Sequence, residues 1–94
     1  MSYSLEITPE AEEDLARIAQ ALPRSRRKAA IRAVVDELAK LATNPSLAVQ
    51  AKLSRPTYRF HFTVDQVTYY WAATFAYSTD ERAIVITQIY RLAL

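Results

Sequence analysis

Residues 57–64, TYRFHFTV, decide how this chain folds, because here the apolar spacing changes from that of a helix to that of a strand. The apolar residues of the stretch alternate with polar ones without one exception: Tyr58, Phe60, Phe62 and Val64. Strict alternation predicts a strand with one buried and one exposed face. The exposed face then carries Arg59 and His61.

Two further strands are predicted after this one, each following a run of turn residues. Asp65-Gln66 precedes an almost wholly apolar run, Val67 to Tyr77, which suits a central strand covered on both faces. Ser78 to Glu81 marks a second turn, and the last strand is predicted from Ala83 to Leu92. Because the chain has no glycine, Asp65 must adopt a positive φ in the first turn, or that loop is wider than two residues.

Two helices are predicted before the sheet, each from an apolar stripe with helical spacing. The first begins at Pro9 with Thr8 as its N-cap, and it ends before Pro23 because the residue preceding a proline leaves helical geometry. The second runs from a cap at Ser25 to about Thr43. Its core-facing stripe is expected to contain Ile31, Val34, Val35, Leu38, Leu41 and Ala42.

An alternating segment from Tyr3 to Ile7 predicts a short strand before the helices, which gives the element order β-α-α-β-β-β. With 94 residues the chain is expected to form a single domain, residues 1–94. The predicted fold class is therefore α+β, with a helical hairpin packed on one face of a small, mainly antiparallel sheet. The first strand must join an edge of the three-stranded meander.

The composition excludes several kinds of site. With no cysteine and one histidine, neither a disulfide nor a metal site of nitrogen and sulfur ligands is expected. Without glycine there is no Gly-rich phosphate loop, so no cofactor is expected. No apolar run approaches the roughly 20 residues of a membrane span and no signal peptide is evident, so a cytoplasmic protein without a membrane partner is expected.

Positive charge is concentrated in the middle of the chain. Residues 23–64 contain nine basic and two acidic residues, a net charge of +7, although the whole chain has a net charge of only +2. Such a segment is a candidate contact for phosphates or for an acidic protein segment. A solvated basic face balanced by the acidic first helix explains the same pattern.

The polar side of residues 57–64 is the candidate site. Arg59 and His61 share a face roughly 6.5–7 Å apart, Lys52 and Arg55 precede them, and Arg91 ends the last strand. RNA cleavage by a 2′-hydroxyl needs fixed positive charge on the phosphate and groups that exchange protons, which arginine, lysine and histidine supply. The competing interpretation is that Arg59 and His61 are simply the solvent-exposed side of an ordinary amphipathic strand.

The aromatic residues are a second feature that could serve RNA binding, because bases of single-stranded RNA stack on aromatic rings. The set comprises Tyr58, Tyr69, Tyr70, Trp71, Phe75, Tyr77 and Tyr90. Most of these rings are expected in the core. Tyr90 is the best candidate for an exposed ring, and its phenol beside Arg91 suits proton transfer or stacking.

Four stretches together resemble the RelE/ParE superfamily of bacterial toxins. They are SLEITPEAEEDLARI, ELAKLATNPS, AKLSRPTYRFHF and IVITQIYRL, and they span nearly the whole chain. The short connection between the two helices is more similar to the RelE branch. The resemblance implies a toxin of a type II toxin–antitoxin system whose concave sheet face binds and cleaves mRNA on the ribosome, and which a cognate antitoxin neutralises.

The resemblance also implies site residues. Lys52 matches the family's Lys-Leu, Tyr58 with Arg59 matches its Tyr-Lys/Arg start of the second strand, and Arg91 after Tyr90 falls near the basic residue of the last strand. Together with His61 and Arg55, which the chemistry of the polar face adds, the candidate catalytic residues are Arg59, His61, Tyr90 and Arg91, and the candidate RNA-phosphate-binding residues are Lys52 and Arg55.

One departure from the family keeps alternatives open. Gln66-Val67-Thr68 stands where the family commonly has Gly-x-Arg, so the arginine that holds the scissile phosphate is missing. Whether the chain is an endoribonuclease therefore stays open. The alternatives are a ParE-like toxin that binds DNA gyrase without catalysis, and an inactive relative acting as a protein-interaction or homodimerising module.

Overall fold

The computed structural model describes residues 3–44, 57–78 and 80–92. Its elements follow the predicted α+β order. They are β1 (Ser4–Ile7), α1 (Pro9–Gln20), α2 (Arg24–Thr43), β2 (Thr57–Val64), β3 (Val67–Ser78) and β4 (Ala83–Arg91). Neither helix within these ranges has the length and apolar character needed to cross a membrane.

The strands form one sheet in the order β1-β4-β3-β2. The last three strands make the predicted antiparallel meander, and β1 lies parallel to β4 at its edge. The expectation that the first strand joins an edge of the meander is confirmed. β3 and β4 are therefore the interior strands, and β2 is the edge strand opposite β1.

Both helices pack on one face of the sheet, here called the helix side, and the other face is called the open face. Phe60 and Phe62 of β2 are buried on the helix side in one cluster with Trp71 of β3 and Leu38 of α2. Burying one such side chain contributes about 1.5–3 kcal/mol to stability. The alternation predicted for residues 57–64 is confirmed, because the residues between the two phenylalanines and beside them are exposed.

The helix starts follow from local sequence. The Thr8 hydroxyl accepts a backbone N–H from the first turn of α1 at 3.2 Å, so the predicted N-cap is confirmed. The prediction of Ser25 as the cap of α2 is wrong, because that helix already begins at Arg24 with Pro23 as N-cap. Proline suits this position, since its φ of −53° is fixed by the ring and its carbonyl accepts the Arg26 N–H at 2.8 Å.

The core-facing stripe of α2 differs in part from the prediction. Four of the six expected residues are buried: Val34, Leu38, Leu41 and Ala42. Ile31 and Val35 are 37% and 41% exposed, and Ala30 is buried on the core face instead. Residues on either flank of a buried stripe share its spacing, so periodicity alone does not select which flank is covered.

A β-bulge interrupts the pairing of β3 with β4. Thr74 pairs with Gln88 but Phe75 pairs with Ile86, so Thr87 is an extra residue in β4. The Thr87 hydroxyl donates to the backbone carbonyl oxygen of Thr74 at 3.2 Å, and it lies 3.1 Å from the Thr74 hydroxyl. Beyond the bulge each side chain of β4 lies on the face opposite to the one that simple alternation predicts.

The turn between β2 and β3 contains only two residues. Asp65 and Gln66 have φ values of 51° and 68°, which confirms the expected positive φ in a turn without glycine. A residue with a Cβ in this left-handed region costs about 1–2 kcal/mol, so the turn is strained.

Glycine at position 66 is expected to relieve this strain. We expect Gln66→Gly to raise the free energy of unfolding by about 0.5–1 kcal/mol, because relief of the left-handed strain exceeds the added chain entropy of unfolded glycine. Urea unfolding measures the change. Gln66→Ala is the matched control and brings no such gain, so equal stability of the two variants would contradict this explanation.

Candidate functional site

The open face brings together side chains from three strands in two cross-strand rows. In the first row, Arg59 of β2 pairs with Ala72 of β3, which pairs with Tyr90 of β4. Since neighbouring strands lie about 4.8 Å apart, the Cα atoms of Arg59 and Tyr90 are about 10 Å apart. In the second row, His61 pairs with Tyr70. Arg59, His61, Tyr70 and Tyr90 are together called the open-face site.

The side chains of the open-face site are accessible. Arg59 and His61 are exposed, Tyr70 is 37% exposed and Tyr90 is half-buried. The His61 and Tyr70 rings contact each other with centroids 5.7 Å apart and a tilt of 39°, which lies within the range of favourable aromatic pairs. A cation, an imidazole and two phenols therefore share one surface.

Negative charge is absent from this part of the described sheet. The open-face residues of β2, β3 and β4 include no carboxylate, and the open-face acid of β1, Glu6, pairs with Val85 at the end of β4 away from Tyr90. Arg59 has no ion pair with any described residue. Its planar guanidinium can therefore donate two hydrogen bonds to two oxygens of a phosphate.

The structure does not bring Arg91 into the open-face site. Arg91 follows the bulge and pairs with Trp71, whose side chain is in the core, so Arg91 lies on the helix side. Its guanidinium carbon lies 5.4 Å from the ring centroid of Tyr69. Arg26 of α2 donates to the hydroxyl of the same tyrosine at 3.2 Å and lies 3.6 Å from Asp65. Arg91 thus belongs to a cation–π contact on the opposite face from Arg59.

Two predicted phosphate-binding residues, Lys52 and Arg55, lie outside the residues that the structure describes. Their assignment remains a prediction from the sequence.

Tyr58 lies on the helix side and connects β2 to α2. Its hydroxyl donates to Glu37 at 3.0 Å, and Lys40 donates to the other carboxylate oxygen at 2.9 Å. Burial, together with the hydrogen bond to Glu37, raises the pKa of Tyr58 to about 12. The tyrosine that matches the family pattern therefore has a structural contact here.

This contact predicts a loss of stability at alkaline pH. Because the pKa of Tyr58 is about 12 in the folded chain and about 10 when unfolded, its stabilisation is complete below pH 10 and is lost toward pH 12. Urea unfolding across that range is expected to show a shallower decline for Tyr58→Phe than for the wild type. Glu37→Gln, which removes only the charge, should give an intermediate slope, and identical slopes in all three proteins would contradict the assignment.

Sequence reasoning missed Tyr70 as a site residue by grouping it with the core aromatics. Its neighbours Tyr69 and Trp71 are buried on the helix side, which places Tyr70 on the open face beside His61. The strand pairing could have identified it, because a two-residue turn at Asp65-Gln66 pairs Tyr70 with His61 and so places both side chains on the same face of the sheet.

The chemistry of the open-face site suits a single-stranded polyanion. Arg59 can hold a phosphate, His61 and Tyr90 can exchange protons, and Tyr70 offers a ring on which a base can stack. Within the described ranges no group of three or more histidine, cysteine or acidic residues is arranged to hold a metal ion.

Solved structures of RelE proteins share this fold. The RelBE2 toxin–antitoxin complex of Mycobacterium tuberculosis is similar with a TM-score of 0.59 and 16% identity, over 98% of this chain and 100% of that one. A mutant of the E. coli toxin RelE in the free state gives a TM-score of 0.61 and 11% identity, over 96% of this chain and 83% of that one. The archaeal RelE–RelB complex of Pyrococcus horikoshii OT3 gives 0.53 and 16%, over 97% and 96%.

These similarities confirm the RelE-like fold that the sequence predicts. No protein-family model matches the sequence, and no curated protein sequence matches it.

Proposed function

We propose that this chain, which has the fold of RelE toxins, is a RelE-like toxin that binds ribosome-associated mRNA on its open sheet face and cleaves it. The observation that supports this most is the open-face site itself. Arg59, which has no carboxylate partner among the described residues, lies in one row with the Tyr90 phenol. The neighbouring row holds the His61 imidazole and the Tyr70 phenol. A ribosomal target would place the protein in the cytoplasm.

The proposed reaction is internal transesterification. The 2′-hydroxyl oxygen of the RNA attacks the adjacent phosphorus while its proton passes to a base, and the bond from phosphorus to the 5′-oxygen breaks as that oxygen receives a proton. The products are a 2′,3′-cyclic phosphate and a 5′-hydroxyl. His61 and Tyr90 are the candidate proton-exchanging groups, and Arg59 stabilises the charge on the phosphate.

A gyrase-binding function is the second candidate. It is favoured by Gln66-Val67-Thr68, which offers no arginine where the family commonly has one. Losing one phosphate-holding cation weakens transition-state stabilisation by a few kcal/mol, whereas binding to gyrase needs no catalytic cluster.

A side-by-side assay of the purified chain separates these functions. We expect it to cleave mRNA on programmed ribosomes and to leave gyrase-dependent plasmid supercoiling unchanged. Loss of supercoiling with intact mRNA would establish the gyrase function instead. Absence of both effects would indicate an inactive relative that serves protein contacts.

A cognate antitoxin is part of this proposal. Two of the similar structures are complexes of a RelE protein with its RelB antitoxin. We expect that coexpression with a cognate antitoxin suppresses the growth arrest that the chain causes alone.

A further inference from the structure

One acidic side chain of α1 lies on the side of that helix that faces the sheet. Asp14 comes three residues after Ala11 and four before Ile18, so the three side chains follow one line along the helix. Ala11 is buried in the core and Ile18 packs against it. The Asp14 side chain is only 17% exposed. Because a carboxylate loses hydration at such a position, hydrogen bonds have to compensate for its burial.

Both carboxylate oxygens of Asp14 have a partner, and the two partners differ in kind. One oxygen pairs with the exposed guanidinium of Arg17, one turn later on α1. The other, Oδ2, accepts the backbone N–H of Ile89 in β4 at 3.1 Å. The first contact is local and exposed, so it contributes little to stability. The second joins residues 75 positions apart and ties α1 to one peptide group of β4.

The Ile89 N–H points to the edge of β4 that faces away from β3. The Leu92 N–H donates to the Tyr70 carbonyl of β3 at 2.8 Å, and backbone N–H groups alternate between the two edges of a strand. Ile89, three residues earlier, therefore donates toward the other edge. Within the described ranges β1 pairs with that edge only as far as Ile86, and no other strand lies on it. Asp14 supplies the acceptor that a longer β1 would supply.

The β-bulge is the reason that this N–H needs Asp14. Before the bulge, the peptide groups of Ile86 face β1, since its carbonyl accepts the N–H of the residue that follows β1. The extra residue Thr87 shifts the alternation, so Ile89 is the next residue to face that edge. The same shift places Tyr90 on the open face. Asp14 therefore binds the peptide group directly before the residue whose face the bulge decides.

We propose that Asp14 is a positioning residue for the Tyr90 phenol, an inference that rests on the proposed toxin function. Its carboxylate holds the Ile89 peptide, and this contact keeps the end of β4 in the bulged register, in which Tyr90 lies in one row with Arg59. Asp14 belongs to α1 on the helix side and touches no reacting atom. Its effect on RNA cleavage passes entirely through β4.

Two simpler roles of Asp14 predict different results. If its carboxylate served only the ion pair with Arg17, removing either residue would have the same effect. If it served only the stability of the whole fold, its loss would act on every part of the sheet alike. A positioning role instead predicts an effect confined to the end of β4 and to the reaction step that uses Tyr90.

Four variants separate these roles. Asp14→Ala removes the acceptor of the Ile89 N–H. Asp14→Leu also removes it but suits the apolar line of α1, so it replaces Asp14→Ala if that variant does not fold. Asp14→Asn keeps an acceptor oxygen without the charge, and Arg17→Ala removes the ion pair alone.

Amide hydrogen exchange, followed by NMR on the full chain, reports the contact directly. We expect Asp14→Ala to speed exchange of the Ile89 amide about tenfold more than that of the Trp71 amide in the interior of β3. The nuclear Overhauser contact between the Tyr90 ring and the methyl group of Ala72, its cross-strand partner, should weaken in the same variant. Asp14→Asn and the Arg17 variant should behave like the wild type.

Cleavage kinetics on programmed ribosomes test whether this geometry serves the reaction. Arg59 and Tyr70, the groups expected to hold RNA, lie on β2 and β3, so Asp14→Ala should lower kcat roughly tenfold and leave KM within about twofold. Asp14→Asn should restore the wild-type kcat. In a Tyr90→Phe background, Asp14→Ala should cause no further loss, because its effect passes through the phenol that this background lacks.

The outcomes separate this inference from the toxin function. Equal effects of Asp14→Ala and Arg17→Ala, failure of Asp14→Asn to restore kcat, or a further loss of kcat in the Tyr90→Phe background would overturn the positioning role. So would equal acceleration of exchange at Ile89 and at Trp71. A wild-type chain that cleaves no mRNA would overturn the toxin function alone, since amide exchange and the ring contact still decide whether Asp14 holds the bulged register.

Discussion

Replacing Arg59 and His61 together with alanine is expected to abolish the growth arrest that the chain causes. The double variant removes the imidazole of the open-face site and its cation, which forms no ion pair in the part of the chain that the structure describes. Losing one charge-stabilising group costs about 100-fold or more in rate, and losing a proton-exchanging group costs a similar factor. Colony formation after induced expression, normalised to the amount of soluble protein, measures the effect.

The matched control removes one cation elsewhere. Arg17 of α1 is exposed and pairs with Asp14 on the helix side, so Arg17→Ala should arrest growth like the wild type. Both substituted residues of the double variant are exposed on β2, so it should fold as the wild type does. Undiminished arrest by a folded double variant would rule out the open-face site.

Leu38→Ala is expected to produce the second large effect, a loss of about 2–5 kcal/mol in the free energy of unfolding. Leu38 is completely buried between α2 and the sheet, in the same cluster as Trp71. Val35 lies three residues earlier on the same helix but is 41% exposed, so Val35→Ala should cost less than about 1 kcal/mol.

Chemical unfolding of both variants tests which flank of α2 the core covers. A larger loss for Val35→Ala than for Leu38→Ala would show that α2 is rotated relative to the structure described here.

These two residues also show what periodicity can and cannot predict. Leu38 and Val35 fall on one helical stripe in the sequence, and only the position of the sheet decides which of them is covered. In β2, Phe60 and Phe62 alternate with polar residues, and only one orientation of the strand buries both rings. The exposure of Arg59 and His61 was therefore predictable. Element order, the α1 cap and the β2–β3 turn were predictable for the same reason, because each depends on residues close together in sequence.

The arrangement at the end of β4 was not predictable from alternation. Ile84 and Ile86 face the core, so strict alternation along β4 would place the Tyr90 side chain in the core and the Arg91 side chain on the open face. The bulge at Thr87 exchanges the faces on which these two side chains lie. A bulge depends on how two strands pair and twist, which the sequence of one strand does not fix. The adjacent polar residues Thr87 and Gln88 within an apolar strand are the local sign of it.

Cleavage of mRNA on programmed ribosomes by Arg59→Ala and Arg91→Ala proteins is the most direct test of the open-face site. Both arginines are candidates in the sequence, but the structure places them on opposite faces of the sheet. We predict that Arg59→Ala slows cleavage by about 100-fold or more, because it removes charge from the scissile phosphate, and that Arg91→Ala cleaves at close to the wild-type rate. Full activity of Arg59→Ala together with an inactive, folded Arg91→Ala protein would contradict the account.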